Sequence, residues 1–432
     1  MPSLKTRCCF AAMLAVTAAW LVAVPPARAQ YFGRNKVQYR SFDFQVLRSA
    51  HFDVYYYPEE RLAAADAARL AERWYTRWSS VFDHELSGRQ PLILYASHPQ
   101  FEQTNAISGD LEEGTGGETD ILKRRIVLPM AGPMAENDHV IGHELVHAFQ
   151  FDITGNTHGG PLITPPGATR LPLWFVEGMA EYLSLGPVDP NTTMWMRDAA
   201  ESDNLPSIHK LDSPRYFPYR YGQALWAFIA GRYGSDKIAR LLREASRLGD
   251  AERAFEPVLG VSSDSLSKLW HRSLKDWEKP ILAVTTKPDS LARPLLVSHQ
   301  GSKGRLNVAP SLSPDGSRLM FISERDQFSI EVFLADAKNG EVLRSITKTA
   351  VDPHYQSLEF INSAGAWSPD GKRFALAAVS SGEPLLAVID AEKGSTEREY
   401  PLKGLDEVLN PTWSPDGKKV ALSARSGGYT DL

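Results

Sequence analysis

Residues 139–152 read HVIGHELVHAFQFD, which sets His143, Glu144 and His147 in an H-E-x-x-H pattern. On a helix, residues four apart are offset by about 40° around the axis, so both imidazoles project toward one point. Two neutral imidazoles so placed suit Zn²⁺ and leave positions for a third protein ligand and a water. Glu144, beside the first imidazole, is placed to take a proton from that water. The bland reading stays open at this point: an amphipathic helix in which two histidines happen to sit four apart.

The elements that must hold these residues follow from periodicity and breakers. FDVYYYP (52–58) and PLILYAS (91–97) alternate like strands. Between them, EERLAAADAARLAERWYTRWSSVF keeps apolar residues at helical spacing and predicts a long amphipathic helix. RRIVLPM (124–130) predicts a further strand, after the Gly- and acid-rich loop SGDLEEGTGGETD. It is the expected edge strand against which an extended peptide would pair through its backbone. The H-E-x-x-H helix is expected to be capped by Asn137 or Asp138, with His139 as a helix-start residue rather than a ligand. A loop rich in Gly, Pro and Thr leads to a second helix, LWFVEGMAEYLSL, and YGQALWAFIAGRYG and SDKIARLLREASRLG continue helical to near Trp277.

A second-helix glutamate is the usual partner of H-E-x-x-H in one zinc-peptidase class. LPLWFVEGMAEYL resembles the W-x-x-E-G-x-A-x-Y segment of aminopeptidase-N-like and related gluzincins, with Trp174, Glu177, Gly178, Ala180 and Tyr182 in matching places. The metzincin pattern is excluded, because Gln150 and Ile153 stand where that class needs Gly and His. The resemblance, to the peptidase-MA-like gluzincin group, covers about residues 40 to 280 and implies an α+β zincin-like fold. It implies Zn²⁺ held by His143, His147 and Glu177, with Glu144 as general base. Glu181, one turn beyond Glu177, matches an acidic position that orients a ligand imidazole in thermolysin-like members; the alternative is a solvent-facing glutamate. Gluzincins often add a Tyr or His that stabilises the oxyanion. Of Tyr219 and Tyr221, Tyr221 is the expected one, the alternative being a role in aromatic packing. Small Gly178 and Ala180 are expected to let this helix approach the motif helix.

After Pro280 the texture changes. APSLSPDGSRLMFIS, GAWSPDGKRFALAA and PTWSPDGKKVALSA repeat a Ser-Pro-Asp-Gly tetrad starting at Ser313, Ser368 and Ser414. Pro fixes φ at the second turn position, Asp tolerates the third and Gly ends the turn, so each tetrad predicts a hairpin. Strand-rich repeats of this length are propeller blades. They resemble the repeats of TolB-type propellers, shared with prolyl-oligopeptidase propellers, over about residues 300 to 432. Two blades and part of a third cannot close a ring of about four to eight. The expectation is an all-β, incomplete TolB-like propeller, the chain being a fragment of a longer protein; the alternative is a ring completed by another chain.

Composition and the N-terminus bound the setting. Lys5 and Arg7 precede the uncharged run Cys8 to Val24, and Ala27-Arg28-Ala29 follows. This is a secretory signal peptide, with cleavage expected before Gln30; a retained anchor is the weaker reading, since the run is short and followed by prolines. Both cysteines, Cys8 and Cys9, fall inside it, so a zinc site in the mature chain must use His and carboxylate ligands. Losing the three basic residues of the signal takes the formal charge from -5 to -8. Without a basic stripe, nucleic acid is not an expected partner.

The expected organisation is therefore a signal peptide (1–29), a gluzincin-like metallopeptidase domain (30–285) and partial TolB-like propeller repeats (286–432). The expected protein is bacterial, secreted or periplasmic, with no membrane span after cleavage and a peptide or protein substrate. The propeller would serve as a docking surface for a protein partner or as a gate on substrate size. The rival is a non-catalytic, Tol-like periplasmic scaffold. A serine hydrolase finds no G-x-S-x-G in the 432 residues.

Overall fold

Five strands form one mixed sheet in the order β1-β2-β3-β5-β4. They are β1 (Gln45–Arg48), β2 (Phe52–Tyr56), β3 (Gln90–Tyr95), β4 (Glu118–Asp120) and β5 (Arg125–Pro129). β2, β3 and β5 run parallel, while β1 and β4 pair antiparallel at the two edges. The computed structural model describes residues 37–432 apart from 108–110, 112, 122, 131, 156–165, 297–305, 327–328, 349–354, 356, 359–360 and 362. The signal segment expected over 1–29, with Cys8 and Cys9, lies outside the described residues.

Inner strand β5 is buried from Ile126 to Leu128, as a strand covered on both faces requires. The expected edge strand is thus an interior one. The edge is β4, three residues inside the acidic Gly-rich loop, which no apolar run announces.

On the sheet lies α1 (Arg61–Phe82), whose Ala63, Ala67, Ala71, Trp74 and Trp78 are buried. Next come α2 (Met134–Thr154), which carries H-E-x-x-H, α3 (Leu173–Leu185) and α4 (Pro190–Glu201). They are followed by α5 (Pro218–Tyr233), α6 (Asp236–Leu248) and α7 (Ser263–Leu282). α2 begins at Met134 after Pro133, one turn before the expected cap. Asp138 instead accepts the Trp74 indole N–H at 2.7 Å, and Trp78 donates to the Gly142 carbonyl at 3.0 Å. A Cβ on Gly142 would stand 2.7 Å from the Trp74 ring, so glycine there lets the stacked Trp74–Trp78 pair clamp the motif helix just before His143.

The close approach expected of Gly178 is made to a different helix. A Cβ there would collide with the backbone of Gly222, so the Gly178–Gly222 contact fixes α3 on α5.

Strands resume at Asn307. One sheet has the order β6 (Asn307–Leu312), β7 (Arg318–Asp326), β8 (Ser329–Asp336), β9 (Val342–Ser345). A second joins β10 (Ser357–Leu358), β12 (Arg373–Ser380), β13 (Glu383–Asp390) and β14 (Thr396–Pro401), with β11 (Ala366–Trp367) also on β12. A third has β15 (Glu407–Trp413), β16 (Val420–Ser426) and β17 (Tyr429–Asp431). All pairings in these blade-like sheets are antiparallel.

Each Ser-Pro-Asp-Gly tetrad closes a turn: the Gly N–H donates to the Ser carbonyl at 2.8–2.9 Å, and the three glycines have φ near +70°. In each, the Ser hydroxyl donates to the Asp carboxylate at 2.6 Å. Trp367 and Trp413 donate across to Ser311 and Ala366, tying neighbouring blades. Among the described residues the sheets stay separate and no ring closes. The third blade also meets the first region: Gln100 donates to Asp406 at 2.7 Å, and the Tyr429 hydroxyl to Asp66 at 2.6 Å. No helix of the described residues is long and apolar enough to cross a membrane.

Candidate metal centre

α2 and α3 bring three donor atoms into a small triangle. The Nε2 atoms of His143 and His147 are 3.1 Å apart, and each lies 3.2 Å from the same oxygen, Oε2 of Glu177. Zinc bonds of about 2.0–2.1 Å at tetrahedral angles set ligand atoms roughly 3.3–3.4 Å apart, so these three residues fit such an ion without rearrangement. His143 and His147 are buried, and the carboxylate lies nearly so. The sequence-derived ligands therefore converge.

The electrostatics couple the two imidazoles to the carboxylates around them. Burial alone depresses the His143 imidazole, but the adjacent Glu177 and Glu181 carboxylates and the nearby Glu144 charge outweigh it and push its pKa up to about 10. His147 is raised by Glu177 against the same desolvation. Burial would raise Glu177, yet the two imidazoles hold it well below the carboxylate range. A cation bound there would compete with protons for these donor atoms.

Each imidazole is oriented from outside. His147 Nδ1 donates to Gln150 Oε1 at 2.9 Å, and Gln150 Nε2 donates to the Val176 carbonyl at 3.0 Å, which fixes the amide. The tautomer that results leaves the Nε2 lone pair facing the triangle. His143 Nδ1 lies 3.2 Å from Glu181 Oε1, at ion-pair distance though not in hydrogen-bond alignment. Glu181 is buried and reaches the ligand imidazole, so it does not face solvent. Its other oxygen accepts from Arg220 at 2.9 Å, and His139 stands 3.4 Å from Oε1. His139, His143 and Glu181 could also group around a cation, but Arg220 already meets the Glu181 charge.

Glu144 sits beside the triangle and is held by the edge strand. Thr119 Oγ1 lies 2.7 Å from Glu144 Oε2 and 3.0 Å from its backbone carbonyl. A Cβ on Gly117 would come within 3.0 Å of Glu144 Cγ, so glycine there gives the carboxylate room.

Tyr221 does not reach this site. It packs against Tyr216 and Trp195, with ring centroids at 5.3 and 6.3 Å. Tyr219 does: its ring lies 6.0 Å from His143 with planes 16° apart, and its hydroxyl lies close enough to the Glu177 carboxylate to feel its charge. Burial and the surrounding carboxylates raise the Tyr219 hydroxyl far above its ordinary value, so it stays a donor. The helix explains the difference, since two residues turn about 200°. Gly222 faces Gly178, next to Glu177, and Tyr219 at i−3 shares that face.

Three of these residues escaped the sequence reading as site residues. Gln150 had a signal, being three residues after His147 on the same helix face. Thr119 and Arg220 had none.

No protein-family model and no curated protein matches the sequence. Solved structures with a likeness include two TolB proteins and the propeller domain of a protease. TolB from Acinetobacter baumannii is 28% identical over 32% of this chain and 30% of that one, with a TM-score of 0.24. A putative TolB from Agrobacterium tumefaciens is 22% identical, covering 27% and 37%, with a TM-score of 0.21. The propeller domain of the Trilobed protease from Pyrococcus furiosus is 13% identical, covering 28% and 34%, with a TM-score of 0.21. The chain spans only about a third of the length of these structures.

Proposed function

We propose that the chain is an exported zinc-dependent peptidase of gluzincin type that hydrolyses peptide bonds. The observation that carries this reading is the triangle of two Nε2 atoms and Glu177 Oε2, with Glu144 held beside it. When bound, zinc would polarise the scissile carbonyl and bring a neighbouring water toward a pKa of about 7.

The chain's own residues do the rest. His143, His147 and Glu177 would hold the ion, with Gln150 and Glu181 setting the imidazoles. Glu144 takes the water proton and passes it to the leaving amine. The Thr119 hydroxyl on Oε2 keeps that carboxylate aimed. Tyr219, close to the Glu177 carboxylate, is the hydroxyl that would donate to the carbonyl oxygen as it gains charge. The edge strand β4 would pair with the substrate backbone, an affinity largely independent of sequence. Export rests on the signal-like N-terminus, and the blade-like sheets would offer a docking surface or a gate.

The test is peptide-library hydrolysis by zinc-loaded protein, with and without chelator. Cleavage that chelator abolishes and Glu144→Gln removes is the expected result. Chelator-resistant cleavage, or none, refutes the proposal.

A further inference from the structure

A ladder of aromatic rings runs outward from the triangle. Tyr219 lies parallel to His143 at 6.0 Å. Phe217 follows at 5.2 Å from Tyr219, and Trp195 of α4 at 5.7 Å from Phe217. The outer rings are open to solvent, Phe217 being 43% and Trp195 39% exposed, and Met194 beside them is 51% exposed.

These rings are held from behind rather than loose. Phe217 is the N-cap of α5, with Pro218 fixing the backbone at the first helical position. Tyr221 packs edge-on beneath Trp195 with planes 81° apart. α4 is tied to α5 by the hydrogen bond from Thr192 to Gln223, and Asp189 caps it by accepting from Thr192 N at 2.8 Å. The cation next to Tyr219 is occupied: Arg220 pairs with Glu181 at 2.9 Å and Asp189 at 3.4 Å.

Contiguous aromatic surface left exposed marks a binding site, and this one begins at the triangle. Two ring spacings put Phe217 within about 11 Å of His143, which an extended peptide rising ~3.3 Å per residue spans in about three residues. We infer that the Tyr219–Phe217–Trp195 ladder receives an aromatic or large aliphatic side chain of the peptide, within three residues of the bond cut. The inference rests on the metal-site reading above and adds the substrate class.

The test uses the full chain loaded with zinc, and tripeptide hydroxamates carrying Phe or Ala at each position in turn. Affinities are measured by calorimetry, and zinc content separately. For at least one position, Phe should bind about tenfold or more tighter than Ala, as burial of an aromatic side chain implies. The ratio should fall toward one in Phe217→Ala and Trp195→Ala with zinc content unchanged, and Phe217→Leu should restore part of it. Equal affinities at every position, or a preference that survives both alanine variants, overturn the ladder while leaving the metal reading intact. No zinc uptake sinks the metal reading and the ladder with it. Concentration-dependent self-association that the same variants abolish, with an unchanged Phe-to-Ala ratio, assigns the rings to a contact between chains and also overturns the proposal.

Discussion

Replacing Gln150 with Leu separates a residue that orients a ligand from one that merely fills space. Gln150 is 0% exposed, with Oε1 accepting from His147 Nδ1 and Nε2 donating to the Val176 carbonyl. Leu has nearly the same volume, so little cavity forms. What changes is that a buried N–H and a buried C=O lose their partners, at about 1–3 kcal/mol each. The ion-free protein should therefore lose roughly 2–6 kcal/mol by urea unfolding. Beyond that, His147 is no longer held in one tautomer. Loss of such an outer partner weakens metal binding by about 10–100-fold, or about 1.4–2.8 kcal/mol. Competition for zinc against a chromophoric chelator reads this directly. Gln150→Glu keeps an acceptor on His147 but cannot donate to Val176, so it should recover zinc affinity while remaining less stable without the ion. A Gln150→Leu protein that unfolds more easily yet binds zinc within about twofold of the parent would refute the reasoning; tenfold is 1.4 kcal/mol, well above that margin.

Other outcomes follow from the same geometry. Glu144→Gln should retain the metal and lose hydrolysis, while Thr119→Val should retain the metal and slow cleavage by about 10–100-fold through a misplaced carboxylate, both read as turnover per bound zinc. Tyr219→Phe should lower kcat with unchanged zinc content, whereas Tyr221→Phe should leave kcat near the parent value. Glu60 supplies a pH prediction away from the site. Burial pushes its carboxyl up to about 8, with Asp406 and Glu59 adding to the rise and the Tyr57 N–H and Arg40 opposing it. Its folded value lies above its unfolded one, so the stability it contributes is present below about pH 4.5 and lost as pH rises through about 8. Urea unfolding at pH 5 and pH 8.5 should show a smaller loss in Glu60→Gln than in the parent.

The sequence carried what depends on local chemistry. The alanine-rich period of α1, the alternation of β2 and the Pro-Asp-Gly turns are all properties of a few neighbouring residues. His143 and His147 share a face because the helix repeat makes them do so, and Glu177 came through a resemblance to a second helix. What stayed hidden depends on tertiary placement. β4 is three residues in a polar loop, defined only by pairing with β5, so Thr119 could not be tied to Glu144 in advance. α4 carries exposed Met194 and Trp195, which blur its amphipathic pattern. The choice between Tyr219 and Tyr221 turned on the rotation of α5, which the Gly178–Gly222 contact sets. The start of α2 moved one turn because Asp138 was taken by Trp74 rather than by the helix end.

Zinc stoichiometry measured together with anomalous diffraction at the zinc edge tests the central claim most directly. The account predicts about one zinc per chain, with the anomalous peak between His143 Nε2, His147 Nε2 and Glu177 Oε2, and loss of that peak in Glu177→Ala. A chain that takes up no zinc under loading, or one whose zinc sits elsewhere and survives Glu177→Ala, would contradict it.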